Sequence, residues 1–268
     1  MSHTYNIDDL RYLMSRLRDS DTGCPWDIKQ TFKTIAPFTV EEVYEVVDAI
    51  ERGDSEHLSE ELGDLLFQII FYSQLGAEDT VFDWDIIVSG ITEKLIRRHP
   101  HVFPDGTLQS VRSPDLVFDV NAINKQWEET KKRERAGKGE DGVLADIPLA
   151  MPALNRAQKL QKRASSVGFD WTDPKDVLAK VKEEIAELEV EITRGDKVAI
   201  EDEMGDLLFS CVNLARHLSV DPEKAMRSAN NKFKRRFEAM ESLVSRERLS
   251  SMSADDLESL WCSVKARE

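Results

Sequence analysis

The stretch that decides the reading is Glu41–Phe67, EEVYEVVDAIERGDSEHLSEELGDLLF, because it returns as Glu183–Phe209, EEIAELEVEITRGDKVAIEDEMGDLLF. Thirteen of the 27 positions are identical at an offset of 142, and most of the identical ones are acidic or belong to the Arg-Gly-Asp and Gly-Asp-Leu-Leu-Phe runs. A fold needs the apolar positions of such a unit to recur. It has no need of the same carboxylates, so the acids point to function.

The repeat continues outward. Arg18 and G23-x-x-W26 match Arg163 and G168-x-x-W171, K94-x-x-R97-R98 matches K232-x-x-R235-R236, and W127-x-x-x-K131 matches W261-x-x-x-K265. The offset drifts, which places small insertions in loops. The expected organisation is an N-terminal domain over 1–130, a linker over 131–145 and a C-terminal domain over 146–268. The polar run KKRERAGKGEDG reads as the exposed linker.

Within each copy the apolar residues follow helical spacing. Leu62, Leu65, Leu66, Ile69 and Ile70 fall on one stripe, as do Met204, Leu207, Leu208, Cys211 and Val212, and both stripes are expected to be buried. Gly53-Asp54 and Gly195-Asp196 supply a left-handed cap followed by an N-cap acid, the turn of an αα-hairpin. Trp26 and Trp171 read as core anchors and Cys211 as a small core residue. The expected fold is all-α: two tandem, four-helix-bundle-like domains, each built on such a hairpin.

Position relative to the turn makes the acids a site. Glu45 and Glu61 lie eight residues either side of Gly53, and Glu42 and Asp64 eleven. Glu187 and Glu203 flank Gly195 by eight, Glu184 and Asp206 by eleven. In an antiparallel pair equal counts mean equal height, about 12 and 16 Å from the turn. Glu42 with Glu45, and Glu61 with Asp64, are i, i+3 neighbours on one face. Four carboxylates therefore converge on one groove. Two like charges 4 Å apart at an effective dielectric near 20 repel by roughly 4 kcal/mol. Divalent cations relieve that, and an all-oxygen set without His or Cys favours Mg²⁺, with Mn²⁺ as substitute, over zinc. Gly63 and Gly205, in mid-helix, suggest close approach of a helix or ligand. Lys94 with Arg98, and Lys232 with Arg236, are i, i+4 pairs suited to gripping phosphate. Lys180 lies one turn before Glu184, and Trp261 has a face for a base or for helix packing.

Composition narrows the classes. The chain has 268 residues with 36 basic and 51 acidic, a net charge of −15, which opposes binding to a nucleic-acid polymer. Three cysteines without a C-x-x-C suggest a reducing compartment. No apolar run is long enough for a membrane span, and MSHTYNIDDL lacks a signal pattern, so a cytoplasmic location is expected.

Tandem EExxE…ExxD motifs with GDLLF, followed by a Lys/Arg helix, resemble the MazG nucleoside triphosphate pyrophosphohydrolases over nearly the whole chain. The resemblance implies an all-α homodimer that converts NTPs and dNTPs to the monophosphate and pyrophosphate with Mg²⁺, at low base selectivity, in nucleotide-pool cleansing. It implies Glu184, Glu187, Glu203 and Asp206 as metal ligands and Lys180, Lys232, Arg236 and Trp261 as nucleotide contacts. The first copy keeps Glu42, Glu45, Glu61 and Asp64 with Lys94, Arg98 and Trp127. The second copy departs from the usual pattern at Ala199, where a lysine is expected before the second acidic pair, with Lys197 two residues earlier. Two other readings stay open: a non-enzymatic helical interaction dimer, and a pyrophosphatase for one modified or pyrimidine nucleotide.

Overall fold

The computed structural model describes residues 4–115, 119–137 and 142–267, and every regular element among them is helical. The chain divides into two units, Met1–Lys131 and Lys132–Glu268. The first holds α1 (Ile7–Leu17), α2 (Phe32–Arg52), α3 (Ser55–Glu78) and α4 (Trp84–Arg98), with α5 (Val120–Gly137) spanning the division. The second holds α6 (Ala153–Ser165), α7 (Pro174–Arg194), α8 (Lys197–His217), α9 (Pro222–Leu243), α10 (Arg246–Ser251) and α11 (Ala254–Lys265).

The two hairpins form as the turn chemistry dictates. Gly53 has φ 71° and Gly195 φ 75°, a left-handed conformation that costs other residues about 1 kcal/mol or more. Asp54 then caps α3 by accepting the His57 N–H, and Asp196 caps α8 by accepting those of Val198 and Ala199. The pairs α2–α3 and α7–α8 are the main helix contacts of their units.

Around the first hairpin, Met14, Ile35, Ile70, Phe71 and Leu75 form the core. Arg18 from the end of α1 lies over the Phe71 ring, 5.3 Å from its centre, and pairs with Glu78 at 2.6 Å. It also donates to the Asp27 and Gln30 carbonyls, which ties the loop between α1 and α2 to α3. The second unit buries Val177, Val181, Leu188, Val212, Met240 and Val264.

Three expectations change. The apolar stripe of α3 is not its buried face: Ile70 is buried, but Leu62 is 50% and Ile69 39% exposed, and burial follows Glu61, Gln68, Phe71 and Leu75 instead. On α8, Val212 is buried while Met204, Leu208 and Cys211 are exposed. Periodicity marks which residues share a face and says nothing of what covers it. Trp26 and Trp171, read as core anchors, are 51% and 41% exposed, because each sits in a loop and packs one face only. Of the expected linker, residues 131–137 continue α5, consistent with the helix propensity of Lys, Arg, Glu and Ala, and 138–141 lie outside the described residues.

The loop before α7 is held by charge. Arg216 bonds both oxygens of Asp170, and His217 Nε2 lies 2.9 Å from Oδ1. The Arg216 hydrogen bond holds the Asp170 carboxyl at about 2, against an ordinary value near 3.8. A depressed folded value stabilises the protein above the unfolded value, and that contribution is lost as pH falls through the folded one. Asp170→Asn should therefore be less stable than the parent by a constant margin above about pH 4, narrowing towards pH 2. Denaturant titrations across that range measure it.

Candidate metal and nucleotide site

The hairpin geometry brings the expected acids together twice. Carboxylate oxygens of Glu42, Glu45 and Glu61 lie within 4.8 Å of one another, and those of Glu184, Glu187 and Glu203 do the same. Each trio takes two side chains from the first helix and one from the second, across the groove. Asp64 and Asp206, the fourth acids, are exposed and stand outside these trios. Both are still close enough to act electrostatically, Asp64 on Glu42 and Glu61, Asp206 on Glu203.

The crowding is visible in the acidities. Partial burial and the charges of Asp64 and Glu45 raise Glu42 above the usual carboxylate range. Burial and Glu45 raise Glu61, and burial with Glu187, Glu184 and Asp206 raises Glu203. Carboxylates that resist ionisation together are stabilised by an added positive charge. The donors are all oxygen, and two helices fix them on both sides of one groove. That set fits a hard divalent cation such as Mg²⁺ or Mn²⁺.

Each trio contains one deeply buried acid with a basic side chain beside it, but the two copies place it differently. In the first copy Glu61, on α3, is 8% exposed and lies 3.2 Å from His57 Nδ1. In the second, Glu184 on α7 is 4% exposed and pairs with Lys180 at 2.8 Å. Glu184 and then Glu183 hold the Lys180 ammonium well above the usual lysine value. Lys180 thus reaches the acidic groove. The position matching His57 is Ala199, and that matching Lys180 is Phe38. Lys197 is at the first position of α8.

His57 and Gln68 are neighbours of the first trio that sequence reading missed. Gln68 is close enough to Glu42 to favour its charged form, and its own Oε1 is buried without a partner. Their spacing from Glu61, four and seven residues, held the signal: both fall on the acid-bearing face of α3.

Arg98 and Arg236, on helices outside the hairpins, sit against tryptophan rings. Arg236 lies over Trp261, 5.7 Å from the ring centre, and Phe233 packs on the same ring at 5.3 Å, joining α9 to α11. Lys232 is exposed one turn before Arg236. In the first copy Arg98 lies 5.4 Å from the Trp127 ring centre and Lys131 5.6 Å, with His99 edge-on at 4.9 Å, while Lys94 is exposed. His101 is shifted down by burial and by His99. Each tryptophan thus serves an arginine as well as a helix contact.

Gly63 and Gly205 face open space: a Cβ added at either meets nothing within 4 Å. Among the described residues no helix of their own unit packs there, so the close approach expected of them is left to a ligand or another chain. Gly205→Ala should raise stability by up to about 1 kcal/mol through helix propensity. A denaturation midpoint that falls instead would mean the site is crowded.

Fold and site define a class: an all-α protein carrying, in tandem, αα-hairpins whose facing helices gather carboxylates. The model of the MazG nucleotide pyrophosphohydrolase domain matches residues 30–103 and 172–240. The chain is 48% identical over 266 residues to a nucleoside triphosphate pyrophosphohydrolase of Escherichia coli K12, covering 98% of each protein. It is 40% identical over 261 residues to the nucleoside triphosphate pyrophosphohydrolase/pyrophosphatase MazG of Thermotoga maritima, covering 97% of this chain and 95% of that one. It is 39% identical to the YabN protein of Bacillus subtilis, over 98% of this chain and 52% of that one. The chain belongs to the MazG nucleotide pyrophosphohydrolase family.

Proposed function

We propose that the protein hydrolyses nucleoside and deoxynucleoside triphosphates to the monophosphate and pyrophosphate, with Mg²⁺ held by the hairpin carboxylates and with little base selectivity. The observation that carries this is the clustering of three carboxylates within 4.8 Å in each hairpin of a chain so similar to named pyrophosphohydrolases. Substrate cleansing of the nucleotide pool in the cytoplasm is the corresponding role.

In this reading Glu184, Glu187, Glu203 and Asp206 hold the ion, as do Glu42, Glu45, Glu61 and Asp64 in the first copy. A divalent cation bound there would supply Lewis-acid chemistry, activating a water and offsetting phosphate charge. Glu187 or Glu203 orients the attacking water towards the α-phosphorus, in line with departing pyrophosphate. Lys232 and Arg236 take up the developing charge, and Lys180 pairs with the buried Glu184. Trp261 holds Arg236 in place and offers its remaining edge to the nucleotide. The exposed apolar residues Val43, Leu62 and Ile69, and Ile185, Met204 and Leu208, suit pairing with a second copy, which supports a homodimer.

Asp206→Asn should abolish pyrophosphate release while leaving the helical circular dichroism intact, since it removes charge from an exposed position. Full activity in that variant would sink the ligand assignment. Glu61→Gln and Glu203→Gln, assayed side by side, tell which hairpin turns over substrate. Loss in the Glu203 variant alone makes the first copy structural. Arg236→Ala should lower kcat/KM by about tenfold or more if it grips phosphate, read from initial-rate kinetics.

A further inference from the structure

His57 has no part in the roles above, yet it shares one face of α3 with Glu61, four residues on, and with Gln68, eleven residues on. Its Nδ1 lies 3.2 Å from Glu61 Oε1 and 3.7 Å from Glu60 Oε2. The Glu60 side chain is 72% exposed, whereas Glu61 is buried and belongs to the acidic trio. Two donors about 2.1 Å from one ion and at right angles to each other are about 3.0 Å apart. His57 and Glu61 therefore stand at the separation of neighbouring ligands of a single ion. The imidazole is one turn nearer Gly53 than the trio and half-buried, so its ring has room to turn towards an ion held there.

A second observation comes from the other side of Glu61 along α3. Gln68, 6% exposed, is close enough to Glu42 to favour its charged form. Its Oε1 is buried and has no hydrogen-bond partner. Leaving a buried acceptor unpaired is costly, and such an atom in a native protein calls for a ligand. A water carried in by a metal ion is a donor of the right kind. The second copy has neither group: Ala199 matches His57 and Ser210 matches Gln68. Beside its trio stands Lys180 instead, an ammonium with no lone pair to offer and a charge that opposes a cation.

We propose that the first hairpin is a mixed nitrogen–oxygen metal site, in which His57 Nδ1 joins Glu61, Glu42 and Glu45 and selects a borderline transition dication such as Zn²⁺ over Mg²⁺. The proposal rests on the reading above only in taking the hairpin acids as cation ligands. Carboxylate and water alone suit Mg²⁺, whereas an imidazole nitrogen suits zinc-type ions. Gln68 Oε1 accepts a hydrogen bond from a water on the ion and so holds that water in the groove. The two hairpins thereby differ in the ion they prefer: an all-oxygen trio beside Lys180 in the second, and a trio extended by His57 in the first.

The test uses the full chain carrying Glu187→Gln, which removes one acid of the second trio at an exposed position and leaves the first hairpin to report. Zn²⁺ and Mg²⁺ are titrated separately by calorimetry, without nucleotide. Adding His57→Ala should weaken Zn²⁺ binding about tenfold or more and leave Mg²⁺ unchanged. The helix start survives that change, because Asp54 caps α3 through the backbone N–H of residue 57. Gln68→Met keeps the volume and should weaken both ions, since each carries water. Nitrogen-15 spectra of the histidine rings give a direct readout. Of the five histidines, the ring signals missing in His57→Ala identify His57. Zn²⁺ should shift its Nδ1 and fix the Nε2–H tautomer, and Mg²⁺ should do neither. A His57 ring unmoved at saturating Zn²⁺, or a Zn²⁺ affinity equal with and without the imidazole, overturns the mixed site. Assayed in the wild type, pyrophosphate release from ATP with Mg²⁺ alongside that result leaves the hydrolase reading standing. A His57-dependent Zn²⁺ site in a chain that releases no pyrophosphate overturns the hydrolase reading instead.

Discussion

Repulsion between carboxylates across the two hairpins is the constraint on which the rest of the molecule turns. Glycine at φ above 70° reverses the chain, and the aspartate that follows caps the next helix. The two helices then run antiparallel for more than five turns each. Any acids at matched distances from the glycine must meet. The pKa values of Glu42, Glu61 and Glu203 rise because these carboxyls are partly desolvated and have other carboxylates beside them. A protein keeps such an arrangement at a cost in stability, and a cation is the natural compensation.

The two copies solve the same electrostatic problem with different means. In the first, a histidine one turn before Glu61 meets the buried acid. In the second, a lysine one turn before Glu184 does so from the opposite helix. Beyond the acids the copies part further. The first unit sets Arg18 over the core Phe71, whereas the second keeps Gln161 and Asn213 around a pocket. Duplication preserved the charge cluster and let its surroundings diverge, which is how one chain comes to hold two grooves of unequal chemistry.

Much of this was legible in the residues. The glycine–aspartate turns, the helices and the matched heights of Glu45 with Glu61 and of Glu187 with Glu203 follow from spacing alone, because 1.5 Å of rise per residue is a property of the backbone. The fourth acids were harder. Asp64 and Asp206 share the height of Glu42 and Glu184, but an aspartate is one methylene shorter and stays at the edge of the trio. Lys180 was within reach by the i, i+4 rule. His57 and Gln68 obeyed the same rule and went unread, since neither is part of the repeat.

The sequence by itself determined the class of fold, the duplication and the places where negative charge would gather, because these depend on local geometry along one helix or across one turn. The tertiary structure alone decided which faces are buried. The stripes of α3 and α8 are apolar yet only partly buried, the loop tryptophans stand half in solvent, and an unpaired glutamine oxygen lies beside a pocket. Burial depends on what other helices bring to a face, and that information is spread over residues far apart in the chain.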